Sequence, residues 1–107
     1  MARKHILINS LDMGLPCFGV VIEGHLVSIC CTSPFRSNKI KWVYTLEPFR
    51  NKGYGRSVVS AAVIDILEKE EEATYDVDDN NIASIKLYES LGFTPYDETL
   101  YFIGRPI

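Results

Sequence analysis

No apolar run in this 107-residue chain approaches the length of a bilayer, so the sequence predicts no membrane-spanning helix. The basic start, Met1 to His5, leads into only Ile6-Leu7-Ile8 before Asn9 intervenes, too short an apolar stretch for a signal peptide. Basic excess is missing too: 11 Lys and Arg face 14 Asp and Glu, a net charge of -3, which speaks against a nucleic-acid partner. Cysteine is scarce, and Cys17, Cys30 and Cys31 show no C-x-x-C spacing, so no metal site is expected. These three are read as reduced thiols packed in a sheet, which makes the expected location cytoplasmic. Repeats, low-complexity tracts and linkers are lacking as well, and residues 1–107 are too few for two cores, so a single domain is expected.

What is present is the composition of a folded protein, 47% hydrophobic and 23% charged. Cys17 to Glu23 and Leu26 to Cys31 are β-rich runs separated by Gly24-His25, the pattern of a hairpin. Lys39 to Leu46 predicts a third strand with Ile40, Trp42, Tyr44 and Leu46 on one face and Val43 with Thr45 on the other. Val58, Val59, Ala62, Val63, Ile66 and Leu67 recur as one helical stripe, predicting a helix from Gly55 to about Glu71. Thr74 to Val77 reads as a strand, Asp78 to Asn81 as a turn supplying an N-cap, and Ile82 to Leu91 as a second helix ended by Gly92. Phe93-Thr94 and Leu100 to Ile103 complete the β content. The expected fold is therefore α/β (α+β): a mixed central sheet with an antiparallel hairpin, a parallel strand-helix-strand unit, and a C-terminal helix and strand.

Ligands of such sheets bind beyond the carboxyl ends of the parallel strands, and an unusual cluster lies there. Arg50-Asn51-Lys52-Gly53-Tyr54-Gly55 joins a strand to a helix N-terminus with two glycines and two cations. Backbone amides, helix dipole and side-chain charge converge on one spot, which favours an anion. The alternative is a surface turn in which the glycines relieve strain.

The R-x-x-G-x-G loop between a strand and an amphipathic helix resembles the acyl-CoA signature of the GNAT acetyltransferase superfamily. A second segment, Asn81 to Phe93, resembles the family's N-x-x-[AS]-x-x-L-Y-x-x-x-G-F run at every defined position. Tyr44 to Arg50 is similar to the Y-T-L-x-x-[YF]-R run of glycine N-acyltransferase-like members, with the proline shifted to Pro48. The resemblance covers roughly Cys17 to Phe93 and implies an N-acetyltransferase moving acetyl from acetyl-CoA to an amine by direct attack in a ternary complex. The alternative it leaves is a non-catalytic acyl-CoA-binding or regulatory module.

By position, the resemblance implies that Arg50, Asn51, Lys52, Gly53, Tyr54 and Gly55, with Arg56 and Ser57, cradle the CoA pyrophosphate. The strand at Trp42 to Thr45, through Val43, Tyr44 and Thr45, would offer main-chain groups to the pantetheine arm. Asn81 would touch that arm or cap the helix, and Ser84 fills the neighbouring family position. Tyr88 would protonate the departing thiolate, against the alternative of a core tyrosine. The proton acceptor for the amine stays open: Glu47, Glu23, His25 and His5 match no defined family position, and a water relay needs no single residue. Typical members place a strand and two helices before the hairpin, whereas about sixteen residues precede Cys17 here, so those helices are expected to be reduced or absent. A homodimer is one way in which the face so exposed would be closed.

Overall fold

The computed structural model describes residues 4–9, 16–76, 80–95 and 100–104. Among the described residues seven strands form one sheet: β1 (Lys4–Asn9), β2 (Pro16–Ile22), β3 (His25–Thr32), β4 (Lys39–Thr45), β5 (Glu72–Asp76), β6 (Thr94–Pro95) and β7 (Leu100–Gly104). Their spatial order is β1-β2-β3-β4-β5-β7-β6. Two helices, α1 (Tyr54–Lys69) and α2 (Ile82–Ser90), complete the architecture expected from the sequence. The sequence reading did not include β1, which pairs antiparallel with β2 and extends the sheet on that side. Neither helix is long and apolar enough to cross a membrane.

Val58, Val59, Ala62, Val63 and Ile66 of α1 are buried against β2, β3, β4 and β5, so the predicted stripe is the face that packs. Fully burying each of these valines and Ile66 contributes roughly 1.5–3 kcal/mol. Tyr88 of α2 and the following Phe93 belong to the same buried cluster, which places both helices on one face of the sheet. At the end of α2, Gly92 N–H donates to Glu89 O and Phe93 N–H to Tyr88 O, the paired bonds of a Schellman motif. Gly92 has φ +101°, and a Cβ there would lie 3.2 Å from Ile103 Cδ1, so glycine is required on two counts. The motif brings Phe93 edge-on to Tyr88, with ring centroids 5.1 Å apart.

Two findings differ from the sequence reading. Alternation alone puts Ile40 on one face with Trp42, Tyr44 and Leu46. In the structure Ile40 is in the core at 3% exposure, while the other three are 38–54% exposed. The cause is a β-bulge: Cys31 pairs with Trp42 and Thr32 with Ile40, so Lys41 is an extra residue that reverses the alternation. Val43 and Thr45 thereby join Ile40 on the helix face.

The second difference concerns the cysteines, which are not all reduced. Cys17 and Cys31 are directly paired across β2 and β3, their Cα atoms 4.1 Å apart, and they form a disulfide. Such a close separation is typical of a non-hydrogen-bonded antiparallel pair. Cys30 points the other way and is a buried free thiol. The inference from reduced cysteines to a cytoplasmic location therefore loses its ground. Thiol titration of the denatured, unreduced protein is expected to find one reactive cysteine, rising to three after reduction; three before reduction would contradict the pairing.

Candidate active site

β4 and β5 run parallel, but they pair only at Lys39–Thr74 and Ile40–Tyr75. Beyond those two positions β4 continues to Thr45 and the strands part. Asn38 O accepts Thr74 N–H at 2.8 Å, and a Lys39–Asp76 ion pair ties the strands just where they diverge. The gap holds a slot of about 150 Å³ lined by Ile40, Lys41, Val43, Tyr75, Asp76, Asn81, Ser84 and Tyr88. Val43, Asn81 and Ser84 also line an open cleft of about 510 Å³ that runs to the loop before α1, so the two cavities adjoin. Both volumes together suit an elongated small molecule.

Val43, Tyr44, Thr45, Arg50, Asn51, Gly53, Tyr54, Gly55, Arg56, Asn81 and Ser84 line this cleft. Of the cofactor residues expected from the sequence, Lys52 and Ser57 alone are not on its lining, and Ser57 faces a shallow depression on α1. The loop reaches the helix through two left-handed residues, Asn51 at φ 64° and Gly53 at φ 86°. Gly53 is the N-cap of α1, and no side chain caps that end. No acidic residue stands in the first turn of α1, and Arg50, Lys52 and Arg56 neighbour that turn in sequence. The free amides and dipole of an uncapped helix N-terminus favour an anion there. Nothing lies within 4 Å of the Cβ position of Gly53, so a ligand can approach the backbone there.

Thr45 fixes this loop to the sheet. Its Oγ1 shares a 2.7 Å hydrogen bond with buried Ser28 Oγ, and its carbonyl accepts Arg50 Nε–H at 2.8 Å. Arg50 also lies over the Tyr44 ring, 5.5 Å from its centroid, so the first cation of the motif partly serves as a loop staple. Arg56 reaches from α1 to Ser90 O at 3.4 Å, placing a cation at the C-terminal end of α2. Asn81 caps α2 by accepting Ser84 N–H at 3.2 Å while lining both cavities, so its two expected roles are compatible in geometry.

Tyr88 is both a core residue and a slot residue. Its ring stacks on Tyr75 at 3.5 Å and 16°, and 3% of its surface is exposed. Burial, reinforced by Cys30 and Tyr75, holds its hydroxyl far above the usual tyrosine range, so it stays protonated and able to donate. Burial likewise pushes the Cys30 thiol up to about 12. Glu23, His25 and Glu47 line neither cavity, and His5 lies in β1, whose side chains are outside the described residues. The carboxylate that does line the slot is Asp76, which the sequence reading passed over. Its one signal was its place at the C-terminal end of a predicted parallel strand.

A family model described as FR47-like protein matches residues 19–102. The chain belongs to this GNAT-related family. Solved structures share the fold. The Escherichia coli ribosomal-protein-S18-alanine N-acetyltransferase superposes with TM-score 0.73 at 16% identity, over 87% of this chain and 70% of that one. A GNAT family acetyltransferase from Elizabethkingia anophelis with acetyl-CoA bound gives 0.71 at 11% identity, over 85% and 76%. An Acinetobacter baylyi protein gives 0.72 at 20% identity, over 85% of this chain but only 64% of its own, so the chain spans about two thirds of such neighbours. No curated protein matches the sequence.

The buried Cys30 and Tyr88 of this FR47-like domain carry a pH consequence. Both groups have folded-state values above their unfolded ones, so the neutral forms stabilise the fold fully below the ordinary cysteine value of 9.0. That stability is lost as pH rises toward about 12. The melting temperature is expected to fall progressively above that lower value, and to begin falling at higher pH in Cys30→Ala, as read by circular dichroism.

Proposed function

We propose that this domain binds acetyl-CoA along the cleft and transfers the acetyl group to an amine by direct attack in a ternary complex. One observation carries the reading: two motifs about thirty residues apart, Arg50–Arg56 and Asn81–Tyr88, meet on one cleft whose inner end is the β4–β5 slot. Acetyl-CoA supplies an activated thioester and a pyrophosphate handle. The residues fit it, since the uncapped N-terminus of α1, flanked by Arg50, Lys52 and Arg56, would hold the pyrophosphate. The parted edge of β4 at Val43 to Thr45 would pair with the amide groups of the pantetheine arm. Tyr88 in the slot would donate its proton to the departing sulfur. Two solved neighbours of the same fold hold acetyl-CoA, which supports it as the co-substrate.

A second reading is a CoA-binding module without transfer; separately, Leu26, Trp42, Tyr44 and Leu46 are 38–54% exposed on the face opposite the helices. A homodimer would cover that face, and light scattering at high micromolar concentration decides whether one forms. Both readings predict a thermal shift with CoA. They separate on turnover: thiol release from acetyl-CoA across a panel of amines is expected, reduced by about tenfold or more in Tyr88→Phe with CoA affinity unchanged. Absence of thiol release with every amine, alongside retained CoA binding, favours the module. No binding of CoA at millimolar concentration removes both.

A further inference from the structure

Among the described residues, the slot between β4 and β5 is closed at one end. Ile40 and Tyr75 are the last residues of the two strands to pair, and both line the slot, so along the strands the opening stops at their side chains. Ile40 is 3% exposed and packs in the core, and it reaches the slot from the helix face only because the bulge at Lys41 turns it there. Tyr75 stacks on Tyr88 on that face, so Asp76, the next residue along β5, lies on the opposite one. There its ion pair with Lys39 flanks the same closed end.

Size and lining then decide what can enter. At about 150 Å³ the slot is well below the roughly 300–1,000 Å³ of a pocket that takes a whole drug-sized ligand, whereas the adjoining cleft of about 510 Å³ falls within that range. Four of its eight lining residues, Lys41, Asp76, Asn81 and Ser84, carry polar groups, which a long alkyl chain would strip of water. The slot therefore suits the short end of an elongated ligand and rejects a fatty one.

We propose that Ile40 is a specificity-determining residue of this site: it closes the slot behind the acyl group and restricts the donor to the shortest acyl-CoA thioesters. The inference rests on the acetyl-transfer reading above, in which the pantetheine arm follows Val43 to Thr45 and the sulfur lies beside Tyr88. From there the acyl carbons extend toward Ile40, the residue of β4 that faces the helices next after Val43. A methyl group ends short of the Ile40 side chain, and each further methylene must displace it. Ile40 has nowhere to retreat, because behind it lies the close-packed core that also holds Val58, Val59 and Tyr75.

The test compares kcat/KM for acetyl-, propionyl- and butyryl-CoA, with one amine acceptor, in wild type, Ile40→Val and Ile40→Ala. Ile66→Val, which loses the same carbon from a buried position outside the slot, is the control. One methylene too many in a closed pocket costs about tenfold or more, so wild type is expected to use propionyl-CoA about tenfold and butyryl-CoA about a hundredfold less well than acetyl-CoA. Ile40→Val should bring propionyl-CoA to within about threefold of acetyl-CoA, and Ile40→Ala should do the same for butyryl-CoA. The control should leave both ratios as in wild type, and affinity for CoA, which carries no acyl group, should not change. The wild-type series and the one-carbon variant decide the matter even where Ile40→Ala fails to fold. A wild type that uses butyryl-CoA as well as acetyl-CoA overturns the role of Ile40 while leaving transfer intact. So do ratios that stay fixed in Ile40→Val, or that move as far in Ile66→Val. Absence of thiol release from every donor overturns the transfer reading and this inference with it.

Discussion

Everything in the site depends on how briefly β4 and β5 stay together. A parallel pair normally satisfies its backbone along its length, yet here two residue pairs suffice before β4 runs on alone to Thr45. The Asn38–Thr74 bonds hold the strands where pairing begins and the Lys39–Asp76 ion pair holds them beside its last position, so the divergence has a fixed origin. From that origin follow the slot between the faces, the free edge of β4, and the placing of Tyr88 and Asp76 on opposite sides of the same opening.

Rigidity around the gap comes from packing on the helix face. Tyr75, Tyr88 and Phe93 form a three-ring cluster at centroid distances of 3.5 to 5.3 Å. Each such ring pair contributes about 0.5–1.5 kcal/mol beyond its burial. The Schellman turn at Gly92 closes α2 onto that cluster, and its hydrophobic contact is the pair Tyr88–Phe93 itself. The residue proposed to donate a proton is therefore held by the same contacts that stabilise the fold. On the other side of the gap, Thr45 links Ser28, Arg50 and the start of α1, so the uncapped end of the helix is registered to the strand edge.

The parts legible in the sequence were those written locally. The loop Arg50 to Gly55, the cap at Asn81 and the Gly92 terminus each depend on a few consecutive residues, and each stands where those residues put it. What was not legible depends on partners distant in sequence. The bulge at Lys41 exists only in the register of β4 against β3, so alternation within β4 misassigned Ile40. The Cys17–Cys31 bond needs the hairpin register to bring the two residues opposite each other. Asp76 gains meaning only because β4 leaves β5 beside it. Glu23 and Glu47 line neither cavity, and sequence position says nothing about which carboxylate lines a gap between two strands.

In the proposed function the N-terminus of α1 and the parted edge of β4 together form one CoA site. A titration with CoA followed by amide NMR shifts checks this. The largest shifts are expected in two places, Asn51 to Ser57 and Val43 to Thr45, with a smaller set at Asn81 and Ser84 and little change in β2. Shifts confined to the helix N-terminus, with β4 unmoved, would show that the loop captures phosphate alone and would contradict the shared site.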